Sequence, residues 1–541
     1  MVVHPPLLDR TWAEALTEAA ERYGDRAAFE FDGGWRQTLT FRQWHETSQR
    51  LAAALAALGI GAGDRVAVLS PGSAVWPLMQ TACSQVGAII VPVNTRYRSD
   101  ELSHVLSLAE PALVVLIERY HQTDYLDLVR RALRGRPAEL VTFSSPELSL
   151  DPAPGPGTGP RRDWAELLAL GASAPAAPYA GTADDPVLMQ FTSGSTAFPK
   201  AAVLNSRATL GATWYLAQRM AVTDRDVYFS TQPMYHVGGS VATTLMALGA
   251  GPVMVVPERY TAEAAFSLIP RYGCTVRTGQ AAMYARELAH PDFDPGFYTT
   301  LQRAWSGGTP ELRRIISREL GIPVMTTIYG LTETAGTTTV NRLDDPEEVW
   351  LHSCGRPIPG VEVGLLVDGE VVTTPGVVGE ICVRGWTVFL GYYRDPAATA
   401  EAFTHDNWFR TGDLGKLDGA GNLYFVDRIK EMIKPGGENV SAAEVERVIQ
   451  AYPGVAQVAV VGRPDERLGE VPVAFVEMRP GYAFDEAAII AHCAAVMASF
   501  KVPRAVHHID QWPLTGSGKI IKRELAAQLG GTAPRFVGRS G

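Results

Sequence analysis

Short apolar runs that alternate with helical patterns constrain the fold of this chain more than any other feature. Residues 65–69, 87–93 and 112–117 are apolar on both faces, and a similar run follows at 253–256. Stretches with helical spacing lie between them, such as 51–58, which ends at a glycine. Strands that are buried on both faces and separated by helices form parallel sheets covered on each side. We therefore predict an α/β fold built on mostly parallel sheets.

The length of the chain predicts more than one domain, because 541 residues exceed what one hydrophobic core organises. Residues 361–367 and 379–384 resemble strands of a small β-rich unit within the larger domain. The pattern then changes to a compact α+β tail, with helices predicted at 442–452 and 486–500 and strands at 455–461 and 471–478. We predict a large N-terminal domain of several subdomains at 1–429 and a small C-terminal domain at 430–541.

Composition and charge argue against several classes of protein. The formal net charge of −10 disfavours a protein that binds nucleic acid by neutralising phosphates. The five cysteines are scattered without a CxxC pair, which favours buried thiols in a reducing compartment over disulfides or a metal site. The sequence shows neither a signal peptide pattern nor an apolar run long enough to cross a bilayer. We predict a soluble, cytoplasmic protein.

A hydroxyl-rich loop follows the apolar run 187–190 and reads Phe-Thr-Ser-Gly-Ser-Thr-Ala-Phe-Pro-Lys over 191–200. Backbone N–H groups and small hydroxyls in such a loop crowd around phosphate oxygens, and a lysine adds a positive charge. The same residues also suit a solvated turn, and the Gly-Lys-Ser/Thr ending of a Walker loop is missing. A phosphate site here would use Thr192, Ser193, Gly194, Ser195, Thr196 and Lys200.

Four later segments carry groups suited to a nucleotide. The Ser-Gly-Gly-Thr-Pro turn at 306–310 lets backbone approach a flat ligand closely. Tyr-Gly-Leu-Thr-Glu-Thr at 329–334 offers an aromatic ring, hydroxyls and a carboxylate. The segment 408–413 ends in an aspartate that suits two vicinal hydroxyls, and 515–519 carries a lysine on a Gly-Ser-Gly loop. Taken alone, each segment also fits a plain turn, a helix cap or a solvated lysine.

In this order the five segments resemble the core motifs of the adenylate-forming superfamily of acyl-CoA synthetases, luciferases and peptide-synthetase adenylation domains. The resemblance runs from about residue 9 to residue 525. It implies that ATP, with Mg²⁺, converts a carboxylic acid to an acyl-adenylate and pyrophosphate, after which the acyl group passes to the thiol of CoA. Adenylation is chemically reasonable because a free carboxylate would have to expel oxide, a very poor leaving group.

The resemblance also implies a role for each motif residue. Residues 192–196 and Lys200 would hold the β- and γ-phosphates, and Lys519 would bridge the carboxylate and the α-phosphate. The remaining implied roles are Glu333 and Thr192 for Mg²⁺, Thr332 for the α-phosphate, Tyr329 with Gly307, Gly308 and Thr309 for adenine, and Asp413 with Arg428 for the ribose.

The second half of the reaction needs room for the thiol where Lys519 lies in the first half. The family achieves this by rotating the C-terminal domain, and Lys430 matches the pivot. Gly436 and Gly437 match the lining of a pantetheine tunnel, where a missing side chain permits close approach. The chain departs from the family at positions 197 and 201, where alanine replaces the usual glycine and is expected to stiffen the phosphate loop.

The acid pocket is predicted from the family segments around His236, which matches an aromatic gate and equally fits a buried, hydrogen-bonded imidazole. Polar and bulky groups such as Gln280 and Trp305 favour an aromatic, cyclic or short-to-medium acid over a long fatty acid. The predicted walls are Tyr235, His236, Val237, Gly238, Gly279, Gln280, Trp305, Ser306, Ala335, Gly336 and Thr337.

Two other interpretations stay open at this stage. The adenylate could pass to a carrier-protein thiol or to an amine, and some superfamily members activate nitrite to diazotise an aryl amine. The chain could also be a degenerate fold kept as a binding protein. The presence of Glu333, Asp413 and Lys519 argues against that second interpretation.

Overall fold

The structure is a computed structural model of the chain. It describes residues 7–151, 161–175, 181–192, 199–435, 440–465, 467–515 and 519–529.

The predicted apolar runs form the centre of an eight-stranded sheet among the described residues. Arg65–Leu69, Ile89–Pro92 and Leu113–Ile117 pair in parallel and are almost entirely buried. Pro186–Thr192 joins the sheet parallel to Ile89–Pro92. From edge to edge the strands are Gly391–Tyr392, Lys200–Asn205, Pro186–Thr192, Ile89–Pro92, Arg65–Leu69, Leu113–Ile117, Glu139–Phe143 and Arg161–Asp163. Because neighbouring parallel strands end at the same edge, the turn after Pro92 and the loop after Thr192 lie side by side.

A second sheet of seven described strands packs beside the first and is also mostly parallel. Its order is Val324–Thr326, Arg303–Ser306, Val276–Gly279, Val227–Phe229, Val253–Pro257, Ala27–Asp32 and Arg36–Thr40. The ends of these strands lead into several of the predicted pocket segments. The second sheet therefore positions the wall of the predicted acid pocket, whereas the first positions the phosphate loop.

Helices cover both sheets, as the alternating pattern predicted. They are Trp12–Tyr23, Phe41–Ala57, Val75–Val86, Ser99–Ala109, Tyr125–Leu133, Trp164–Ser173, Ser206–Arg219, Val237–Ser240, Thr244–Ala250, Ala262–Tyr272, Ala281–Ala289, Pro310–Glu319, Glu347–His352 and Pro396–Glu401, with short 3₁₀ turns at Pro295–Tyr298, Thr332–Thr334 and Ile429–Glu431. The α/β fold class is confirmed.

The predicted β-rich unit is an antiparallel five-stranded sheet. Its strands, in order, are Glu370–Val372, Val361–Val367, Val378–Gly385, Phe409–Leu417 and Leu423–Arg428. Smaller pieces pair Ile328–Tyr329, Thr339–Val340 and Arg356–Pro357 in one sheet and Arg119–Tyr120 with Thr123–Asp124 in another.

The tail is a compact α+β unit with its own apolar core around Val445, Ile489 and Val506. It contains the strands Val455–Asp465, Gly469–Met478 and Val506–His508 and the helices Ala442–Gln450, Glu486–Val496 and Lys522–Gln528. The helix predicted to reach residue 500 ends at Val496, so that boundary was wrong. Ile489 and Cys493 are its buried residues, and Val496 is 67% exposed. The backbone turns extended at Met497, and Met497 and Phe500 pack on the tail core from the segment after the helix, so packing favours this segment over a further helical turn.

Two further sequence expectations concern thiols and membranes. All five cysteines carry free thiols, and four of them are buried. In the part of the chain that the structure describes, none of the helices has both the length and the apolar character needed to cross a membrane.

Candidate active site

The phosphate loop lies between two paired strands of the eight-stranded sheet. Thr192 ends one strand and Lys200 begins the next, and the two residues are partners in the antiparallel register. The Thr192 hydroxyl lies 3.5 Å from the carbonyl oxygen of Lys200. The tip residues predicted to contact phosphate, Ser193, Gly194, Ser195 and Thr196, lie outside the described residues, as does Ala197. The structure thus gives the base of the loop.

Tyr392 links Lys200 to Glu333, a role that the sequence reasoning missed. The Tyr392 hydroxyl donates a hydrogen bond of 2.9 Å to Oε1 of Glu333. The ammonium of Lys200 lies 4.9 Å from the centre of the Tyr392 ring, within range of a cation–π interaction. Tyr392 reaches this place because its strand pairs with Ala202, nearly two hundred residues earlier in the chain. Local spacing carries no signal for such a pairing.

Glu333 fits a ligand for Mg²⁺. Glu333 is 8% exposed, and this burial raises the pKa of its carboxyl. Hydrogen bonds and the charges of Arg428 and Lys200 oppose that shift. Mg²⁺ in nucleotide enzymes is usually bound by one or two carboxylates together with substrate phosphates. The pairing of Thr192 with Lys200 and the contacts of Tyr392 bring the predicted phosphate lysine and the predicted metal carboxylate to the same side of the sheet.

The residues predicted to bind the nucleoside lie together. The hydroxyl of Tyr329 donates a 2.9 Å hydrogen bond to Asp413, and Nε of Arg428 lies 3.3 Å from the other carboxylate oxygen. Asp413 and Arg428 are directly opposite each other on neighbouring strands. Burial raises the pKa of Asp413, whereas the charge of Arg428 and the bond from Tyr329 lower it. Together they present a buried acceptor beside an aromatic ring, which suits ribose and adenine.

The glycine turn at 307–309 requires its glycines. Gly308 has φ +98°, and a methyl group there would come within 2.8 Å of the Ala281 side chain. Thr309 has a structural task as well, because its hydroxyl accepts a bond from Leu312 N–H and caps the helix Pro310–Glu319.

His236 holds a neutral imidazole at the start of the helix Val237–Ser240. Its Nδ1 accepts a 3.2 Å hydrogen bond from the N–H of Gly238, which leaves the proton on Nε2. Desolvation, and then the nearby charge of Lys519, lower the pKa of His236 to about 3. The segment is tied to the phosphate strand by Gln190, which donates to the carbonyl of Tyr235 at 2.8 Å and accepts from Ser240 at 3.0 Å.

Lys519 comes from the C-terminal unit and faces this site. It keeps solvent-exposed surface, yet desolvation and then the charge of Arg428 lower the pKa of its ammonium. Asp413 and Glu431 act in the opposite direction. The charges of the predicted ribose-binding pair, Asp413 and Arg428, thus both act on the Lys519 ammonium.

The predicted pocket walls meet in two places. A methyl group on Gly336 would lie 3.5 Å from the Val237 side chain, and one on Gly307 would lie 3.7 Å from Oε1 of Gln280. Six other predicted wall residues are buried or half-buried: Gly238, Gly279, Trp305, Ser306, Ala335 and Thr337. Among them, the Ser306 hydroxyl donates to the carbonyl of Gly307, and the Trp305 carbonyl accepts from Tyr284.

Two predicted features of the second half-reaction are less fully described. Lys430 lies in the exposed turn Ile429–Glu431, between the five-stranded sheet and the C-terminal unit. Gly436 and Gly437 lie outside the described residues.

Thr332, the residue predicted to contact the α-phosphate, is half-buried at the start of the turn Thr332–Thr334, beside Glu333.

A cavity of about 570 Å³ opens where the tail meets the earlier part of the chain. Four arginines and one glutamate on its wall make it electropositive: Arg96, Arg98, Arg259, Arg286 and Glu258. Leu514 and Thr515, from the segment that leads to Lys519, close one side.

Comparison with known proteins agrees with this geometry. The family profile described as AMP-binding enzyme matches residues 16–393, and the profile described as AMP-binding enzyme C-terminal domain matches residues 444–519. The chain is 34% identical to the (7a-methyl-1,5-dioxo-octahydro-1H-inden-4-yl)propanoyl:CoA ligase of Rhodococcus jostii, over 95% of this chain and 98% of that protein. It is 31% identical to the mitochondrial medium-chain acyl-CoA ligase of Rattus norvegicus, over 97% of this chain and 88% of that protein. The solved structure of MatB from Rhodopseudomonas palustris with ATP bound is similar at a TM-score of 0.81 and 27% identity, and the match covers 95% of this chain and 98% of MatB.

Proposed function

Because the chain belongs to the AMP-binding enzyme family, we propose that it activates a carboxylic acid with ATP and transfers the acyl group to CoA. The observation that carries this proposal is the assembly of the predicted nucleoside residues, in which Asp413 accepts a 2.9 Å bond from Tyr329 and lies 3.3 Å from Nε of Arg428. The charges of Asp413 and Arg428 act on the pKa of Lys519, which comes from the C-terminal tail.

In the first step a carboxylate oxygen attacks the α-phosphorus of ATP, and the bond to the bridging oxygen of pyrophosphate breaks. Lys519 donates to the carboxylate and the α-phosphate and so stabilises the charge that spreads over them. Lys200 and the phosphate loop hold the leaving pyrophosphate, while Tyr329 and Asp413 hold the nucleoside. Mg²⁺ at Glu333 and Thr192, when bound, supplies positive charge to the phosphates. Thr332 lies beside the α-phosphate.

In the second step the thiol sulfur of CoA attacks the acyl carbon, the bond from that carbon to the phosphate oxygen breaks, AMP leaves, and the thiol proton passes to the departing AMP phosphate or to water. The thiol must approach a carbon that Lys519 would cover in the first step, so we propose that the C-terminal domain rotates about Lys430. Gly436 and Gly437 would then line the path of the pantetheine. His236 does not accept the thiol proton in the arrangement described here, because its Nδ1 is occupied by the N–H of Gly238. We propose that it gates the acid pocket instead.

We propose a cyclic, aromatic or medium-length acid as the substrate. Trp305 and Gln280 give the predicted pocket bulk and polarity rather than a long alkyl tunnel. The family relatives act on a bicyclic dioxo acid and on medium-chain acids, which lie within this class. A cytoplasmic location and the domain boundary at 429/430 stay predictions of the same kind.

Replacing Lys519 with alanine tests the reaction directly. We expect Lys519→Ala to slow pyrophosphate release by about 10²–10³-fold, the usual cost of removing one donor to a transferring centre. ATP binding, measured by calorimetry, should change little, because the remaining nucleotide contacts are in the N-terminal domain. Lys501→Ala is the matched control, since Lys501 pairs with Glu444 within the C-terminal unit.

The assay should use a panel of cyclic, aromatic and aliphatic acids and nitrite, with and without CoA. Full pyrophosphate release by Lys519→Ala would contradict the mechanism. Turnover that ignores CoA but requires a carrier-protein thiol or an amine would contradict the acceptor. If the wild type binds ATP but releases no pyrophosphate with any acid, the chain would be a binding protein and not an enzyme.

A further inference from the structure

We propose that Arg96 is a positioning residue for the adenylation step, which holds the hairpin carrying Lys519 against the N-terminal domain. The inference rests on the proposed function, because it assigns Arg96 to the step in which Lys519 acts. Arg96 lines the same cavity as the predicted wall residue Tyr235, but the side-chain hydrogen bonds described for it go to the hairpin, so its effect on adenylation would pass through the hairpin.

The contact spans the boundary between the two predicted domains. Nη1 of Arg96 donates to the carbonyl oxygen of Leu514 at 3.2 Å and to that of Thr515 at 3.0 Å. Leu514 and Thr515 lie 418 and 419 positions after Arg96 in the chain. A guanidinium shared by two consecutive carbonyls fixes the direction of that backbone as well as its distance, because the donors have a rigid planar geometry.

The hairpin transmits this hold to Lys519. The N–H of Thr515 donates to the carbonyl of Lys519 at 2.8 Å, and the N–H of Lys519 donates to the Thr515 hydroxyl at 3.0 Å. Leu514 and Ile520 form an antiparallel bridge one residue further out. The two ends of the hairpin therefore move together, and Arg96 grips the end that precedes the lysine.

Arg96 is itself held by the N-terminal domain. Its N–H donates to the side chain of Asn94 at 2.9 Å, and the neighbouring carbonyl of Thr95 accepts from Tyr125 at 2.6 Å. This turn follows the strand Ile89–Pro92, the parallel neighbour of the strand that ends in the phosphate loop. The hairpin is thus anchored at the sheet edge from which the phosphate loop rises.

The bonds suit a reversible contact. Arg96 is exposed, so water competes for both carbonyls, and the contact stabilises the docked hairpin only modestly. A bias of about tenfold, ~1.4 kcal/mol, favours the docked state for adenylation and still allows the hairpin to leave for the second step.

The alternative role for Arg96 is a purely electrostatic one. It shares the cavity wall with Arg98, Arg259 and Arg286, and these positive charges attract any anionic substrate. Arg259 provides the matched control. It is an exposed arginine on the same wall, after the strand Val253–Pro257, and replacing it leaves the two bonds from Arg96 to the hairpin in place.

The test compares wild type, Arg96→Ala, Arg96→Lys and Arg259→Ala in the two half-reactions. Adenylation is followed by single-turnover pyrophosphate release, and the second step by thioester formation from a chemically prepared acyl-adenylate and CoA.

We expect Arg96→Ala to slow adenylation about tenfold with the KM values for ATP and acid unchanged, and to leave the second step as fast as in the wild type or faster. Arg96→Lys should recover little, because the lysine side chain is one atom shorter and its ammonium falls short of the two carbonyls that Nη1 reaches. Arg259→Ala should adenylate at the wild-type rate.

Three results would overturn the proposal. One is wild-type adenylation by Arg96→Ala. Another is full rescue by Arg96→Lys together with an equal loss in Arg259→Ala, which would assign Arg96 to general attraction of anions. The last is a defect confined to the KM for CoA. A wild type that releases no pyrophosphate with any acid would refute the proposed function instead, so the two failures are distinguishable.

Discussion

Two arginines show how differently this molecule uses charge. Arg277 is fully buried below the predicted acid pocket, bound to both oxygens of Glu287 at 2.7 and 2.8 Å and stacked 4.2 Å from the centre of the Tyr284 ring. Tyr260 and Tyr298 each donate a further 2.6 Å bond to the same carboxylate. Arg96 is exposed and meets the Lys519 hairpin through two carbonyls that water can replace.

The difference follows from what each region has to do. Arg277 directly precedes Thr278 and Gly279 in the strand Val276–Gly279. Its contacts with Glu287 and the tyrosines therefore fix the backbone that forms the predicted wall of the acid pocket. A buried charge with all of its partners satisfied has one stable arrangement, since losing any partner is costly. In the proposed two-step reaction the hairpin is placed and then released, and a few solvent-exposed bonds permit both.

The strongest way to break this comparison is Arg277→Met. Removing one member of a buried ion pair leaves Glu287 without its cation, and we expect the free energy of unfolding to fall by about 3–5 kcal/mol. Denaturant unfolding measures this directly. The double variant Arg277→Met/Glu287→Leu should recover part of the loss, because the unpaired carboxylate is gone. A single variant within ~1 kcal/mol of wild type would show that the wall does not depend on the pair.

A smaller loss of folding stability is expected from Gly279→Ala, which changes a residue of the same predicted pocket wall. The added methyl would come within 2.3 Å of the Tyr284 ring, so ring or strand must shift, at a cost of about 1–3 kcal/mol. We expect the KM for the acid to change while the KM for ATP does not. Gly61→Ala serves as the control, because a methyl group there meets nothing within 4 Å. Equal effects on both substrates would mean that the wall is not specific to the acid.

The mildest change concerns the charge state of Lys519. Desolvation and Arg428 lower its pKa, so the ammonium loses its proton at a lower pH than an ordinary lysine, and adenylation should decline early on the alkaline side. Arg428→Gln removes one of these causes and should move that decline to higher pH, measured as kcat at saturating ATP. The pKa of His236, lowered to about 3, lies below the assay range, so no histidine limb is expected near neutral pH. An alkaline limb that stays in place in Arg428→Gln and in Lys519→Arg would assign it to another group.

Much of the fold followed from local patterns. The run 65–69 is a strand with the predicted bounds, and 361–367 is one as well. The error at the helix Glu486–Val496 arose because an alanine-rich stretch favours helix beyond the point where packing supports it. Local propensity decides which element forms, and burial decides where it stops.

The candidate site divides in the same way. Asp413 and Arg428 were expected to act together, and they are cross-strand partners. Tyr392 and Arg96 were not foreseen in their roles, since each meets its partners through sheet order rather than through a motif.

The sequence by itself determined which chemical groups the enzyme possesses and in which order the chain delivers them, because strands, helices, turns and reactive side chains follow from short-range patterns. The tertiary structure alone decided which of those groups meet. Tyr392 lies between Lys200 and Glu333, and Arg96 holds a hairpin more than four hundred residues away, because strand pairing and domain docking bring together positions that no local pattern relates.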